Sequence, residues 1–512
     1  MSFIKNPMNL NIIAMSVLFS LAGCNSPSNT EAESDTQPEI ESETQPEFQP
    51  EIKRKNVIMM ITDGASDGAW DIATYWTNGT LANNTYPYNE LETRMGMSTY
   101  SLNTNSEPLE NCDGEVGEVS YDKDKAWDDE LVDADDRRPF AGYQYLNENY
   151  TDSAAAGTAL ATGNKTYLGA IGVDYCGQSL KSITEIAKEN GLATGIVTSV
   201  MYSHATPAAF SANNVSRNNY ADIGHQMLTN GKADLIMGAG HPDFSSTSKP
   251  NEESTFWYIS EDDWNALNNK TLKPAGSDTA WNLIETKADF EKLANNEADN
   301  EIMDAPLFGL VQNSSTLQAY RSCENGEGRY VAFACTALDN TPTLKTMTKG
   351  ALNYLSQNEQ GFFMMVEGGA VDWAAHWNDT TRIIEEQVDF NNSVAAVIEW
   401  VEENSSWEET LLIVTTDHGN SYVLGETSDQ NAYAPVENPG QGVMPVVKYY
   451  SGSHTNELVR FYAKGNGIEG LSDLTQGNDP GYVTHYQNIG SNGDYIDNTN
   501  AFDLMKQVIE AP

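Results

Sequence analysis

Five apolar runs divide the chain from residue 56 onwards, and a polar cluster follows each of them. Because the apolar positions do not alternate regularly with polar ones, each run is expected to be buried on both faces, as in a central parallel strand covered by helices. The predicted strands are Asn56–Ile61, Ala193–Val200, Ala233–Met237, Phe362–Val366 and Leu411–Thr415. Their alternation with helical segments predicts a doubly wound α/β fold, whose mostly parallel sheet is flanked by helices and carries functional groups at the carboxyl ends of its strands.

The segments between these strands are of two kinds. An Ala-rich stretch at Thr151–Gly163 and an amphipathic stretch at Ser179–Asn190 predict helices. Residues 77–150 and 242–340 are polar and lack a clear period, so we expect them to be irregular surface insertions. The sequence therefore predicts one folded domain over residues 56–512, with both insertions belonging to it.

The first 55 residues differ in composition from the rest. Residues 1–24 carry Lys5 and then an apolar run that is too short to span a bilayer comfortably, as in an export signal. Its end, Leu21-Ala22-Gly23-Cys24, resembles a bacterial lipobox, and the alternative is an ordinary cleaved signal with an incidental cysteine. Residues 25–55 predict a disordered acidic tether. We expect a lipid anchor at Cys24 in the bacterial cell envelope, at the outer membrane facing the periplasm or the cell surface.

The net charge limits the expected binding partners. The formal net charge of −46 over 512 residues excludes nucleic acid as a stable partner and leaves the lipid as the only expected membrane contact.

Beyond Cys24 the chain has four cysteines, and an even number in an exported protein favours two disulfides. Of the three possible connectivities we favour the local one, Cys112 with Cys176 and Cys323 with Cys335. None of them forms a close CxxC pair, so they are not interpreted as zinc ligands.

Ser153 is the candidate nucleophile. It lies at the start of the Ala-rich helix, where backbone N–H groups without intrahelical partners and the positive end of the helix dipole suit a phosphate or a developing alkoxide. The alternative is that Asp152 and Ser153 are ordinary N-cap residues.

Candidate metal ligands follow several of the predicted strands. Asp372 and His376 are four residues apart, so on a helix they share a face and can chelate one divalent ion; taken alone, such a pair is more often a surface ion pair. Asp and His suit zinc, whereas Glu, Asp and a Thr hydroxyl suit magnesium. The other candidates are Asp63, Thr206, Glu367, Asp417, His418 and His454.

Six motifs occur in an order that resembles the bacterial alkaline phosphatases. They are DG at Asp63, TDSAAAGTALATG at Thr151, HATPAAF at His204, VEGGAVDWAAH at Val366, TTDHG at Thr415 and SGSHT at Ser451. The resemblance covers the chain from about Asn56 to the C-terminus. It implies hydrolysis of small phosphate monoesters to an alcohol and inorganic phosphate through a phosphoserine intermediate on Ser153, assisted by two zinc ions and one magnesium ion.

The resemblance also implies roles for single residues. One zinc would be held by Asp372, His376 and His454, and the second by Asp63, Asp417 and His418 with Ser153. The magnesium site would consist of Asp63, Thr206 and Glu367. Arg217, oriented by a salt bridge from Asp152, would hold two phosphate oxygens. His204 and Trp373 occupy positions that vary in the family and tune metal preference and phosphate affinity; His204 is either a water-mediated phosphate contact or a neutral packing residue.

Two other functions stay open on the sequence. One is a phosphodiesterase or sulfatase that shares the two-metal core, and the other is a non-catalytic phosphate-binding envelope lipoprotein. A homodimer is an expectation from the family. The separation of His418 and His454 leaves no room for the very large loop with which some relatives embrace a second subunit. His225, His241 and His485 match no ligand motif and are assigned to structure or surface.

Overall fold

The computed structural model describes residues 54–81, 87–110, 112, 119–132, 137–323, 330–486 and 490–511. The predicted signal with Cys24 and all but the last residues of the predicted tether lie outside this part of the chain, so both stay predictions. Among the described helices, none has the length and apolar character needed to cross a membrane.

A large central sheet organises the described residues. The strands in chain order are β1 (Lys55–Thr62), β2 (Thr93–Ser98), β3 (Ala193–Met201), β4 (Leu235–Ala239), β5 (Asn282–Ile284), β6 (Leu307–Leu310), β7 (Gly361–Gly368), β8 (Thr410–Thr415), β9 (Gly419–Asn420), β10 (Val423–Gly425), β11 (Val447–Tyr449), β12 (His454–Thr455), β13 (Val459–Gly465), β14 (Gly477–Asn478) and β15 (Asp494–Asp497). The central sheet has the order β14-β15-β2-β13-β8-β1-β7-β3-β4-β6-β5, and β9 with β12 and β10 with β11 form two small ribbons.

The middle of the sheet is parallel. From β8 through β1, β7, β3, β4 and β6 to β5, each strand runs parallel to its neighbours, whereas β13 is antiparallel to both β8 and β2. The predicted doubly wound, mostly parallel α/β fold is confirmed. The five predicted strands are β1, β3, β4, β7 and β8, each with ends within two residues of the prediction.

Helices cover both faces of this sheet. They are α1 (Asp67–Asn78), α2 (Lys123–Ala126), α3 (Ala141–Leu146), α4 (Ser153–Thr162), α5 (Ile183–Glu189), α6 (Ala205–Ala209), α7 (Tyr220–Thr229), α8 (Glu261–Asn268), α9 (Lys287–Ala294), α10 (Asn300–Met303), α11 (Leu344–Leu355), α12 (Ala370–His376), α13 (Thr380–Asn404), α14 (Pro480–His485) and α15 (Asn498–Glu510). Side chains of β1 alternate between the two layers. Ile58 and Met60 pack in the core with α1, α11 and α13, whereas Val57 and Met59 pack with α5, α7 and α15. A strand buried on both faces explains the continuous apolar run.

The structure corrects the prediction of two irregular insertions. Residues 77–150 contribute β2 to the central sheet, and residues 242–340 contribute β5 and β6 together with α8, α9 and α10. The strands β5 and β6 have three and four residues, so they are too short to show a period in sequence. The two segments therefore extend the sheet and are only partly surface decoration.

The helix predicted at Ser179–Asn190 is shorter in the structure. It begins at Ile183, because Ser182 and Glu185 form a capping box in which each side chain accepts from the other residue's backbone N–H. Ser179 instead pairs with Val173 in an isolated β-bridge. The amphipathic pattern in the sequence thus begins four residues before the helix itself.

Both disulfides have the favoured local connectivity. Cys112 is joined to Cys176 and Cys323 to Cys335, with Cα–Cα separations of 5.6 and 4.8 Å. Each pair includes a cysteine from one of the two segments that were predicted to be irregular, and crosslinks of this kind restrict the unfolded chain.

Candidate active site

The candidate site lies at the carboxyl edge of the parallel strands. In the register of the sheet Ile61 of β1 lies opposite Glu367 of β7 and Thr415 of β8, so Asp63 and Asp417 emerge side by side just beyond them. Helices α4, α6 and α12 begin close to the same edge and add Ser153, Thr206 and Asp372. Consecutive βα connections therefore bring together residues that are far apart in sequence.

Asp372, His376 and His454, the ligands predicted for the first zinc, lie together. The Asp372 carboxylate is 3.4 Å from Nε2 of His376 and 3.4 Å from Nε2 of His454. The two Nε2 atoms are 3.1 Å apart. One turn of α12 supplies the first two residues and β12 supplies the third, so both nitrogens face a single carboxylate.

Asp63, Asp417 and His418, predicted for the second zinc, form an adjoining group. Nε2 of His418 lies 3.5 Å from Oδ1 of Asp63 and 3.3 Å from Oδ2 of Asp417. The Ser153 hydroxyl oxygen is 3.2 Å from the same Nε2 atom. The candidate nucleophile therefore touches this group at the N-terminus of α4.

A third group contains Asp63, Glu367 and His204, each with one ligand atom within 4.8 Å of the others. Thr206 was predicted to complete the magnesium site with Asp63 and Glu367. Its buried hydroxyl is close enough to lower the pKa of Glu367, although it forms no hydrogen bond among the described residues. The structure thus adds a histidine nitrogen to the oxygen ligands that the sequence assigned to magnesium.

Burial and mutual repulsion dominate the electrostatics of the carboxylates. Burial and the neighbouring carboxylates raise the pKa of Asp63, and they raise the pKa of Asp417 to about 7. Burial also raises the pKa of Glu367 to about 8, against hydrogen bonding from Thr198. Both oxygens of Asp63, Oδ2 of Asp417 and Oε1 of Glu367 have no hydrogen-bond partner within the described part of the chain. Such buried carboxylate oxygens need a proton or a cation, and the mixed Asp, Glu and His set fits divalent metals.

Burial and neighbouring charges also shift the pKa values of two site histidines and of Asp372. Burial and the adjacent His454 lower the pKa of His418 well below its ordinary value, which favours the neutral ring that a metal requires. Burial opposes ionisation of Asp372, but His454 and His376 outweigh it and hold the pKa of this carboxyl well below its usual range. Burial and the nearby Arg217 lower the pKa of His204 to about 3, so its ring is neutral.

Asp152 connects the start of α4 to Arg217. Its Oδ1 accepts hydrogen bonds from the backbone N–H groups of Ala155 and Gly169, each at 3.0 Å, which makes it the N-cap of the helix. Its Oδ2 accepts from the Arg217 guanidinium at 2.8 Å, so the expected salt bridge is present. The second terminal nitrogen of Arg217 lies 3.4 Å from Nε2 of His204. One carboxylate therefore fixes both the helix terminus and the arginine.

Three residues next to the site were not identified from sequence. Gly64 has a φ of +67°, and a Cβ there would collide with the Asp372 carboxylate. Nδ2 of Asn420 donates to Oδ1 of Asp372 at 2.7 Å, and the Thr198 hydroxyl donates to Glu367. Sequence signals for these residues exist. Gly64 directly follows Asp63, Asn420 lies two residues after His418, and Thr198 is a polar residue inside a buried strand.

The remaining histidines lie elsewhere, with structural contacts. His225 pairs with Asp263 at 2.9 Å, His241 pairs with Glu285 at 2.7 Å, and His485 stacks on Trp127.

Comparison with known proteins agrees with this geometry. The model of the alkaline phosphatase family matches residues 120–487. "Alkaline phosphatase 4" of Bacillus subtilis is 35% identical over 292 residues, 56% of this chain and 53% of the relative. "Alkaline phosphatase" of Escherichia coli is 31% identical over 360 residues, 64% of this chain and 72% of the relative. The chain thus spans about half the length of the Bacillus relative and almost three quarters of the Escherichia one.

Solved structures show the same fold. The alkaline phosphatase from the Antarctic bacterium TAB5 superposes with a TM-score of 0.55 at 21% identity, covering 90% of this chain and 99% of that one. The cold-active enzyme from a psychrophilic Shewanella sp. superposes with a TM-score of 0.56 at 22% identity, covering 89% of this chain and 99% of that one. Because the family model covers most of the chain, and because the strand ends bring the motif residues together, the chain belongs to the alkaline phosphatase family.

Proposed function

We propose that this protein hydrolyses phosphate monoesters to an alcohol and inorganic phosphate, with Ser153 as the nucleophile that carries the phosphoryl group. The observation that carries the proposal is the position of the Ser153 hydroxyl. It lies 3.2 Å from Nε2 of His418, inside a buried group of carboxylates and histidines and at the N-terminus of α4. A serine there reaches a cation site and a helix terminus at once, which an ordinary N-cap serine does not.

The protein's own groups are suited to bind a phosphoryl group beside this serine. The first turn of α4 offers backbone N–H groups and the positive end of the helix dipole to phosphate oxygens. Arg217 adds a planar pair of donors that matches two of those oxygens, and its salt bridge with Asp152 limits its orientation. Since His204 is neutral, it does not add a second positive charge next to Arg217.

We further propose two zinc ions and one magnesium ion as cofactors. Asp372, His376 and His454 would hold one zinc, and Asp63, Asp417 and His418 would hold the other; mixed oxygen and nitrogen ligands suit this metal. Asp63, Thr206 and Glu367 would hold magnesium, which prefers oxygen. When bound, such ions favour the serine alkoxide, offset charge on the leaving oxygen and activate water.

The histidine nitrogen beside the third group bears on its metal. His204 approaches the Asp63 and Glu367 oxygens, and an imidazole there favours a metal that accepts nitrogen over magnesium. Solved structures of TAB5 alkaline phosphatase mutants with His 135 changed to Asp or to Glu have Mg bound in the M3 site. Because of the His204 nitrogen, we expect magnesium binding at this group to be weaker than zinc binding at the other two groups.

Location and assembly are proposals that rest on the sequence. We propose lipidation of Cys24 and a place in the bacterial cell envelope, and replacement of Cys24 by Ala should then release the protein from the membrane fraction. A homodimer is proposed from family membership alone, and analytical ultracentrifugation of the full chain tests it.

The function is tested by turnover of p-nitrophenyl phosphate with the full chain before and after chelation. Activity should disappear on chelation and return with zinc and magnesium together. Ser153→Ala should lose at least about a thousandfold in kcat, as expected for a nucleophile, while its metal content stays unchanged.

Ser182→Ala is the matched control, because Ser182 is also a buried serine at a helix start, and its side chain bonds with Glu185 in a capping box. It should cost about 1 kcal/mol of stability and leave kcat unchanged. Substantial hydrolysis by Ser153→Ala would refute the nucleophile assignment. Faster turnover of bis-p-nitrophenyl phosphate or p-nitrophenyl sulfate would indicate a diesterase or sulfatase, and no hydrolysis by the metal-loaded protein would indicate a binding protein.

A further inference from the structure

We propose that three aromatic side chains beside the candidate site bind the planar base of a nucleoside 5′-monophosphate while its phosphate occupies the Ser153 site. These side chains are Trp373, Tyr320 and Trp377, and together they are called the aromatic row. The inference rests on the proposed phosphatase function and names the class of alcohol that the site prefers.

The row is continuous, and its inner end contacts His204, which in turn contacts Arg217. Nε2 of His204 lies 3.4 Å from Arg217, and the ring of Trp373 is 5.8 Å from the ring of His204, edge to face. The ring of Tyr320 lies 5.9 Å from that of Trp373 and 5.3 Å from that of Trp377. These are ordinary separations of interacting aromatic rings, so each ring contacts the next.

Solvent exposure of the side chains increases from His204 outwards along the aromatic row. His204 is buried and Trp373 is partly buried, whereas Tyr320 is 41% exposed and Trp377 is 45% exposed. The row therefore runs from the phosphate-binding groups to solvent at the rim. A monoester held by its phosphate must direct its alcohol towards solvent, and at this rim the alcohol would meet the exposed parts of the Tyr320 and Trp377 rings.

The rings are held in place from both sides. Trp373 and Trp377 are four residues apart at the end of α12, the helix that also carries Asp372 and His376. The segment before Tyr320 is anchored to β3, since the N–H of Leu317 donates to the carbonyl of Ser199 at 3.1 Å. Arg321, which follows Tyr320, forms a buried ion pair with Glu385. Tyr and Trp side chains in fixed positions bind a flat ligand with little loss of conformational entropy.

The chemistry of the row selects a planar aromatic ring over a sugar or an alkyl chain. Bases stack on aromatic faces without regard to their hydrogen-bonding edges, so the contact tolerates different bases. A nucleoside monophosphate carries only the phosphate charge, which Arg217 meets, whereas a nucleic-acid chain would meet repulsion from the formal net charge of −46. In a nucleoside 5′-monophosphate the ribose lies between the base and the phosphate, so the base can stack on the row while the phosphate is at the Ser153 site.

The test compares adenosine 5′-monophosphate with methyl ribofuranoside 5-phosphate. Hydrolysis of either ester breaks the bond from phosphorus to the primary hydroxyl oxygen of a ribose, and only the first ester has a base. In the metal-loaded wild-type chain kcat/KM should be at least about five-fold higher for the nucleotide, the smallest ratio expected from stacking of one base. Uridine 5′-monophosphate should lie between the two, because a pyrimidine offers less area.

Removing the exposed rings should abolish this preference. In Tyr320→Ala/Trp377→Ala the ratio should fall to about one while kcat/KM for the base-free ester changes by less than about two-fold, and Tyr320→Phe/Trp377→Phe should restore the ratio. Trp407→Ala is the control, because Trp407 lies at the opposite edge of the sheet, where Lys464 covers its ring at 4.4 Å. It should leave the ratio unchanged.

Equilibrium binding separates this inference from the proposed function. Calorimetry with the full-length Ser153→Ala chain should give the same preference for the nucleotide without turnover. If the metal-loaded wild-type chain hydrolysed neither ester while the binding preference remained, the phosphatase function would be refuted and the base site kept. Equal Kd values for the two ligands, or a double variant that weakens both equally or changes only the oligomeric state, would overturn the base site.

Discussion

Two groups of buried carboxylates have opposite surroundings, although Asp63 of one group and Asp67 of the other are only four residues apart in the chain. Asp67 and Asp71 project from α1 onto Arg460 of β13, which donates to both carboxylates, to the second at 2.7 Å. The Asp63 carboxylate, just beyond the end of β1, faces Asp417 and Glu367, and neither of its oxygens has a hydrogen-bond partner among the described residues. Both groups are fully enclosed, but only the first has a cation supplied by the chain.

The difference separates residues that stabilise the fold from residues that the fold positions to bind a ligand. A buried carboxylate is tolerated when a guanidinium neutralises it, and it remains costly when other carboxylates surround it. Burial raises the pKa of Asp71 only to about 6, with Arg460 opposing the shift. At the strand ends burial and repulsion raise the pKa of Glu367 to about 8. The Asp63 group is therefore suited to bind external cations, whereas Arg460 already neutralises the Asp67 group.

The largest expected effect is on activity. Asp417→Asn removes one carboxylate from the group without an internal cation, so turnover of p-nitrophenyl phosphate should fall at least about 100-fold and bound metal should decrease. In the metal-free protein the same change should keep or increase the free energy of unfolding, because it relieves repulsion. Mass-spectrometric metal analysis and urea denaturation measure both. Unchanged metal content with full activity would contradict the comparison.

The same substitution in the other group should act on stability. Asp67→Asn leaves Arg460 paired with Asp71 but removes one buried charge-assisted interaction, so the free energy of unfolding should fall by about 1.5–3 kcal/mol. Metal content per folded molecule should stay at the wild-type value. Urea denaturation at neutral pH measures the loss, and a variant as stable as wild type would show that this ion pair does not hold the fold.

The pH dependence of stability distinguishes the groups without a mutation. Glu367 and Asp417 have pKa values raised to about 8 and about 7 in the folded metal-free protein, whereas an unfolded chain has ordinary values near 4. Between these values the folded state binds more protons, so the free energy of unfolding of the metal-free protein should fall as pH rises from about 5 to about 8.

Metal ions should replace those protons, so the Tm difference between metal-loaded and metal-free protein should widen over the same pH range. Asp71 titrates in both forms and should largely cancel from this difference. Differential scanning calorimetry at several pH values gives the result. A Tm difference that is constant or narrows with rising pH would contradict the account.

A smaller effect is expected where the chain pairs an aspartate with an arginine next to the site. Asp152→Asn keeps an N-cap oxygen for α4 but removes the charge that orients Arg217, so the inhibition constant for inorganic phosphate should rise about tenfold or less. Arg217→Ala should weaken phosphate binding more, and the double variant should resemble Arg217→Ala. Additive losses would show that Asp152 acts independently of the arginine.

The sequence predicted the parts of the fold and site that depend on local pattern. Continuous apolar runs identified β1, β3, β4, β7 and β8, and the i, i+4 spacing placed Asp372 and His376 on one helix face. The order of the motifs supplied the remaining candidate ligands. The structure brings all of these residues to one edge of the sheet, as expected when parallel strands end together.

What the sequence did not predict depends on contacts between distant segments. The strands β5 and β6 are recognisable only through their pairing with each other and with β4. His204 reaches the third group because β3 lies beside β7, and Tyr320 reaches α12 from a segment that looked like a surface insertion. Ring contacts of this kind leave no period in the sequence.

The central claim is that Ser153 attacks the phosphate ester at this cluster. Its most direct test is to quench the metal-loaded full chain in acid during turnover and to map phosphorylation by peptide mass spectrometry. The account predicts one phosphoryl group on the peptide that contains Ser153, present in wild type and absent in Ser153→Ala. Turnover with no phosphoryl group on that peptide, or with the group on another residue, would contradict it.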